Sequence, residues 1–255
     1  MLNFVGLGLY DERSVTVAGR DAIRSADAVF AEFYTSELVA ATVADLEDYH
    51  DVSIDVRDRA GVEQDPGAIL AVAEDGDAVF LTAGDPSVST THVDLRLRAH
   101  DRGIDTRLYQ APTAQTAASG LTGLQSYRFG KATTIPFPRV HGGDGVPSSV
   151  LETIQGNRSR GLHTIAYLDI KAEAEGMLRG EVAASLLATH WRADALAVVV
   201  GQAGSPDPTV QADRLEELAA GSFGPPPHLL VIPGELHPIE EESLVAFADA
   251  PTALL

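Results

Sequence analysis

Short apolar runs, each cut off by glycine or proline, recur along this chain: Asn3-Phe4-Val5, Ala78-Val79-Phe80-Leu81, Leu196-Ala197-Val198-Val199-Val200 and Leu229-Leu230-Val231-Ile232. Runs that are apolar at every position, with no alternation, predict strands buried on both faces. Between them the apolar residues fall at helical spacing. Helices are predicted over Thr16–Ala26 with Thr16 as N-cap, Leu38–Leu46, Ala68–Ala73, Val88–Arg98, Pro147–Asn157, Gly180–Thr189, Arg214–Ala220 and Ile239–Ala248. Further strands are predicted at Ala28–Ala31, Val52–Val56, Thr106–Gln110, Thr133–Pro138, Thr164–Lys171 and Pro227–Gly234, and a turn over Ala172–Met177. Alternating strands and helices in the first half imply a mostly parallel sheet with helices on its faces, an α/β fold. From Ala114 to Leu124 the composition turns small and polar. A boundary there divides the chain into residues 1–112 and 113–255.

The 255 residues suffice for one large domain or two moderate ones, each with a core. No apolar run approaches the roughly 18 residues that cross a bilayer. The opening Met1-Leu2-Asn3-Phe4-Val5-Gly6 has no basic region ahead of it and reads as a first strand, not a signal peptide. Cysteine is absent, which removes disulfides, thiolate metal sites and cysteine nucleophiles; a cytoplasmic protein is expected. The net charge of −19 comes from scattered carboxylates, and only Lys131 and Lys171 are lysines among 18 basic residues. Such a surface resembles those of proteins from salt-loving organisms. At about 1 M salt the Debye length is roughly 3 Å, so the self-repulsion is screened. No basic stripe is present to displace counterions from nucleic acid.

Several chemistries lack their residues. There is no H-E-x-x-H, no G-x-S-x-G elbow and no G-x-x-x-x-G-K-[ST] loop. In Gly6-Leu7-Gly8 the third glycine of a dinucleotide fingerprint would fall at Asp11, so that fingerprint is not met. What remains is a set of small-residue turns at strand ends: Gly6–Leu9, Gly84–Val88, Thr113-Ala114, Leu168-Asp169 and Ala203–Ser205. The Phe80-Leu81-Thr82-Ala83-Gly84-Asp85-Pro86-Ser87 stretch is central: Gly84 lets a ligand approach the backbone, Pro86 ends the strand, and Asp85 is held at its carboxyl edge. A folded organic cofactor gripped by backbone groups suits these turns, and so do ordinary connections of an α/β protein. His92 is read either as a site residue or as an ordinary buried histidine.

The longer motifs decide more. Gly6–Arg13 with Ala31-Glu32-Phe33-Tyr34-Thr35-Ser36, Gly84-Asp85-Pro86 followed by Thr90-Thr91-His92, Phe129-Gly130-Lys131, and Arg160–Thr164 running to Leu168-Asp169-Ile170-Lys171-Ala172-Glu173 resemble the diphthine synthase family over nearly the whole chain. Ala203-Gly204-Ser205 and Pro226-Pro227-His228 to Pro233-Gly234 match as well. The resemblance implies a tetrapyrrole methylase-like, class III methyltransferase: two α/β domains with S-adenosylmethionine in the cleft between them, in a homodimer. It implies an enzyme that repeatedly methylates the amino group of a 3-amino-3-carboxypropyl-histidine on translation elongation factor 2, giving diphthine. Carried over by motif, the cofactor contacts are Leu9, Asp85, Val88, Thr113, Ala114, Leu168, Ala203 and His228, with Asp85 a binding and not a catalytic residue.

No general base is assigned and no metal is expected; Glu32, Tyr34 and Asp169 are placed on the substrate side by position alone. Ala83, Gln202 and the glycine-rich loop Arg139–Pro147 depart from the family pattern and bear on substrate docking. A corrin or tetrapyrrole precursor methyltransferase of the same fold, and a non-catalytic S-adenosylmethionine-binding module, are the rival readings.

Overall fold

The structure, a computed structural model, describes residues 1–138, 145–171 and 176–255. It forms two compact units, Met1–Thr113 and Ala114–Leu255. Residues 139–144 of the glycine-rich loop and residues 172–175 of the predicted turn lie outside the described residues.

The first unit runs β1 (Leu2–Gly6), α1 (Val17–Arg24), β2 (Ala28–Glu32), α2 (Val43–His50), β3 (Ile54–Val56), α3 (Arg59–Glu63), α4 (Gly67–Asp75), β4 (Ala78–Thr82), α5 (Val93–Asp101) and β5 (Thr106–Tyr109). Its sheet is parallel throughout, in the order β3-β2-β4-β1-β5. Successive side chains of a strand serve opposite faces. Phe4, Phe30 and Phe80 therefore pack with Leu70 and Leu95 on one face, while Val5, Val29, Val79 and Leu81 pack with Ile23 and Leu46 on the other. This double burial is why the strands read as unbroken apolar runs.

Two predicted helix starts move and one short helix is added, each for a local reason. The helix expected over Leu38–Leu46 begins at Val43, because Thr42 and Asp45 form a reciprocal capping box. α3 was not anticipated; Asp58 caps it by accepting from the Gly61 amide at 2.7 Å. The helix expected from Val88 begins only at Val93, since Ser89 adopts φ +56° and Thr90 Oγ1 donates to the Pro86 carbonyl at 2.8 Å. The α5 amides consequently start beyond the Gly-Asp-Pro turn and not within it.

The second unit runs α6 (Ala114–Thr122), β6 (Thr133–Ile135), α7 (Ser148–Arg158), β7 (Thr164–Leu168), β8 (Ile170–Lys171), β9 (Gly176–Met177), α8 (Gly180–Leu187), β10 (Leu196–Gly201), β11 (Thr209–Arg214), α9 (Leu215–Ala219), β12 (His228–Ile232) and α10 (Pro238–Ala248). Its main sheet has the order β11-β10-β12-β7-β6, and only the β6–β7 pair is parallel. The predicted strand Thr164–Lys171 breaks at Asp169, and β8 turns away to pair with β9. Edge strand β11 was not anticipated; its alternation of Val210 and Ala212 with polar residues is the mark of a strand covered on one side.

A buried polar knot fastens α10 in the second unit. Glu240, fully buried, accepts from the amides of Gln125 (2.9 Å) and His237 (2.8 Å) and from Arg128 Nη1 (3.2 Å), and faces His163 Nε2 at 3.0 Å. The Gly234 amide donates to His163 Nδ1 at 2.9 Å, so the His163 proton sits on Nε2 and is donated to Glu240. Burial pushes the Glu240 carboxyl up, yet these donors together hold it below the ordinary glutamate value.

Candidate functional site

Three neighbouring strands of the first unit, β4, β1 and β5, deliver their carboxyl ends to one edge of the sheet. Two glycine turns meet there. The Gly84 amide donates to the Gly8 carbonyl at 2.7 Å, and the Gly8 amide returns a bond to the Gly84 carbonyl at 3.2 Å. Both glycines have positive φ, +77° and +71°, which favours residues without a Cβ. The approach is close enough to exclude a side chain at Gly6, where a Cβ would lie 2.5 Å from the Gly84 oxygen and 2.8 Å from Ala111 Cβ. Beside Gly84, in contrast, a Cβ would meet nothing within 4 Å. The backbone at the end of β4 is therefore bare and open, the condition under which a ligand can be held by main-chain groups.

Asp85 is nearly buried, and its carboxylate braces this edge. Oδ1 accepts from the Ser87 amide at 2.8 Å and from the Ser87 hydroxyl, and Oδ2 accepts from the Ala111 amide at 2.9 Å. The side chain thus ties the turn after β4 to the segment leaving β5. A carboxylate offers about four lone-pair sites, so room for a further donor remains. Val88 follows within the same turn, its amide bonded to the Asp85 carbonyl at 3.1 Å, and Leu9 and Thr113 stand shortly past the ends of β1 and β5.

In the second unit, antiparallel pairing does what parallel pairing does in the first. β7 and β10 end at the edge where β12 begins, because Tyr167 pairs with Leu229 and Gly201 with His228. Leu168 at the end of β7, His228 at the start of β12 and Ala203 just past β10 consequently share one sheet edge, and Ala114 opens α6. The Gly180 amide, first in α8, donates to His228 Nδ1 at 2.9 Å, which leaves the ring proton on Nε2. Burial favours the neutral imidazole and, against the Glu181 carboxylate, keeps the His228 pKa below the ordinary histidine value.

The residues placed on the substrate side divide. Glu32 is fully buried and accepts from the amides of Tyr34 (3.1 Å) and Thr35 (3.0 Å) and from the hydroxyls of Thr35 and Thr82 (2.6 Å), with His92 Nε2 at 3.3 Å. Burial raises its pKa, but His92, Thr35 and Thr82 outweigh burial and hold it below the ordinary value. A carboxylate so occupied is anionic, shielded and ill suited to taking a proton from a substrate. Tyr34 packs beneath Arg59, whose guanidinium carbon lies 4.8 Å from the ring centroid, and burial raises its phenol pKa. Asp169 accepts from the Phe137 amide at 3.3 Å and is only partly buried, so it keeps a free face. His92 is buried edge-on against Phe80 at 5.0 Å, and its company with Glu32 was not visible in the sequence because sixty positions separate them.

Among the described residues no three histidine, aspartate or glutamate side chains gather as metal ligands, and no helix is long and apolar enough to cross a membrane.

The family model for tetrapyrrole (corrin/porphyrin) methylases matches residues 1–219. A diphthine synthase of Halobacterium salinarum is 65% identical over 260 residues that cover all of both chains. One from Halorubrum lacusprofundi is 64% identical, covering all of this chain and 99% of its own. Among solved structures, a diphthine synthase crystal structure superposes with a TM-score of 0.92 at 36% identity, covering 99% of this chain and 98% of the other.

Proposed function

The chain belongs to the tetrapyrrole methylase family, among its diphthine synthases, and we propose that it works as one: an S-adenosylmethionine-dependent N-methyltransferase in diphthamide biosynthesis. Its substrate is translation elongation factor 2 carrying 3-amino-3-carboxypropyl-histidine, whose amino group it methylates in succession to give diphthine. The observation that carries this reading is full-length identity of 65% to a diphthine synthase, joined to an open glycine edge at β4 that suits a cofactor held by backbone.

The proposed cofactor contacts are Leu9, Asp85, Val88 and Thr113 of the first unit and Ala114, Leu168, Ala203 and His228 of the second. S-adenosylmethionine supplies a methyl group on sulfonium, which requires neither acid nor metal for activation. The work left to the protein is alignment of nucleophile, methyl and leaving group, a contribution worth up to about 7–11 kcal/mol in well-oriented systems. Asp85 serves that end by fixing the turn that carries Gly84 and Val88. The amine attacks as the free base, so its proton passes to solvent or a partly exposed carboxylate; Asp169 retains a free face for this and Glu32 does not.

The same reading includes a homodimer and a cytoplasmic enzyme. Its net charge of −19 calls for concentrated salt, both for compactness and for encounter with an acidic protein substrate.

The test is methyl transfer in about 2 M KCl, where screening is nearly complete. Labelled S-adenosylmethionine is offered with elongation factor 2 bearing the aminocarboxypropyl-histidine, and with unmodified factor as control. Label is expected on the modified factor only, with mass spectrometry counting the methyl groups and light scattering the subunits. Label on a corrinoid precursor and none on the modified factor would overturn the assignment.

A further inference from the structure

Glu32 has a position that its buried, anionic state alone does not explain. Its Oε1 receives Thr82 Oγ1 at 2.6 Å and lies 3.3 Å from His92 Nε2. Thr82 is the last residue of β4 and His92 immediately precedes α5. Everything between them, Ala83 to Thr91, is irregular chain that includes Gly84, Asp85 and Val88. One carboxylate oxygen therefore meets both ends of the segment that bears the proposed cofactor contacts, through a hydrogen bond at Thr82 and a close imidazole contact at His92. The other oxygen accepts the Tyr34 and Thr35 amides, so the grip is anchored on the loop after β2, which lies beside β4 in the sheet.

We infer that Glu32, through Thr82 and His92, is the positioning residue that sets the shape of the 83–91 cofactor turn. The physical reason is entropic. A free segment of this length, with Gly84 and Ser89 both at positive φ, samples many shapes, and ordering each of its residues on binding costs conformational entropy. A segment held at its start by a charge-assisted bond and packed at its end against the same carboxylate has lost much of that freedom before the ligand arrives. The inference rests on the cofactor reading given above.

The experiment measures S-adenosylmethionine affinity by calorimetry, and thermal midpoints, in about 2 M KCl for the wild-type protein and four variants. Thr82→Val removes the hydroxyl and keeps the shape; Thr82→Ser keeps the hydroxyl; Glu32→Gln removes the charge. Glu240→Gln is the control, an equally buried carboxylate whose partners Gln125, Arg128, His163 and His237 all lie in the second unit. Thr82→Val and Glu32→Gln are expected to weaken cofactor binding about tenfold, the effect of losing one charge-assisted bond. Thr82→Ser should bind as wild type, and Glu240→Gln should melt earlier with its affinity unchanged. If Thr82→Val and, where it folds, Glu32→Gln bind the cofactor as tightly as wild type, the positioning role is refuted. A wild-type protein that binds no S-adenosylmethionine would overturn the cofactor reading itself, and the inference with it.

Discussion

Replacing Gly6 by alanine adds one methyl group where three strand ends converge. The new Cβ would lie 2.5 Å from the Gly84 carbonyl oxygen, 2.8 Å from Ala111 Cβ and 3.0 Å from Pro86 Cδ. None of these can swing aside as the end of a long side chain could. The first is backbone that also accepts from the Gly8 amide, the second is attached to the segment tied to Asp85, and the third belongs to a ring. Overpacking a tight site costs about 1–3 kcal/mol, and losing the Gly8–Gly84 bond adds about 1 kcal/mol. A destabilisation of about 3 kcal/mol is expected, which for a chain of this size lowers the melting midpoint by roughly 6–12 °C. The assay is thermal unfolding followed by circular dichroism in concentrated KCl. Gly156→Ala is the internal comparison: it lies inside α7, its Cβ would meet nothing within 4 Å, and helix propensity should raise stability by about 0.5–1 kcal/mol. A Gly6→Ala protein that melts within about 2 °C of wild type would show that the strand ends are not packed as described.

Two further substitutions probe the charges. Asp85→Asn turns an acceptor toward either Ser87 or Ala111 into an amide donor facing a donor, so cofactor affinity should fall about tenfold; unchanged binding would mean the brace is dispensable. His50 is buried and, mainly through burial and then through the charges of Arg24 and Arg20, has its pKa lowered to about 4. Below its ordinary value of 6.5 the unfolded chain takes the proton first, so the stability of burying neutral His50 is complete above pH 6.5 and is lost as the pH falls towards 4. His50→Gln should flatten the pH dependence of the denaturant midpoint between those values, and an unchanged slope would sink the assignment.

Local pattern carries far in this protein because each unit hides a sheet between two layers of helices. Strands such as Ala78–Thr82 and Leu196–Gly201 must be apolar at every position, and such runs declare themselves without knowledge of their partners. The start of α1 was legible from its cap Thr16, whereas α2 and α5 begin later than their apolar spacing suggests, at the Thr42–Asp45 capping box and past the left-handed Ser89. The turns at Gly6–Leu9 and Gly84–Val88 could be located as backbone left bare, and the long motifs named their family.

Pairing was another matter. The runs at 164–168, 196–201 and 228–232 look like those of the first unit, yet they pair antiparallel, because an apolar period states that a strand is buried and not which neighbour it meets. The bonds from Thr82 to Glu32 and from Ala111 to Asp85 join residues 50 and 26 positions apart. Nothing in either neighbourhood announces the other. A glutamate, a threonine and a histidine are each ordinary at their own places in the chain, and only the order of strands in the sheet brings them to one point. Sequence determined most of the elements, the bare turns and the family; tertiary structure alone decided which side chains brace those turns, since burial is written locally and contact is not.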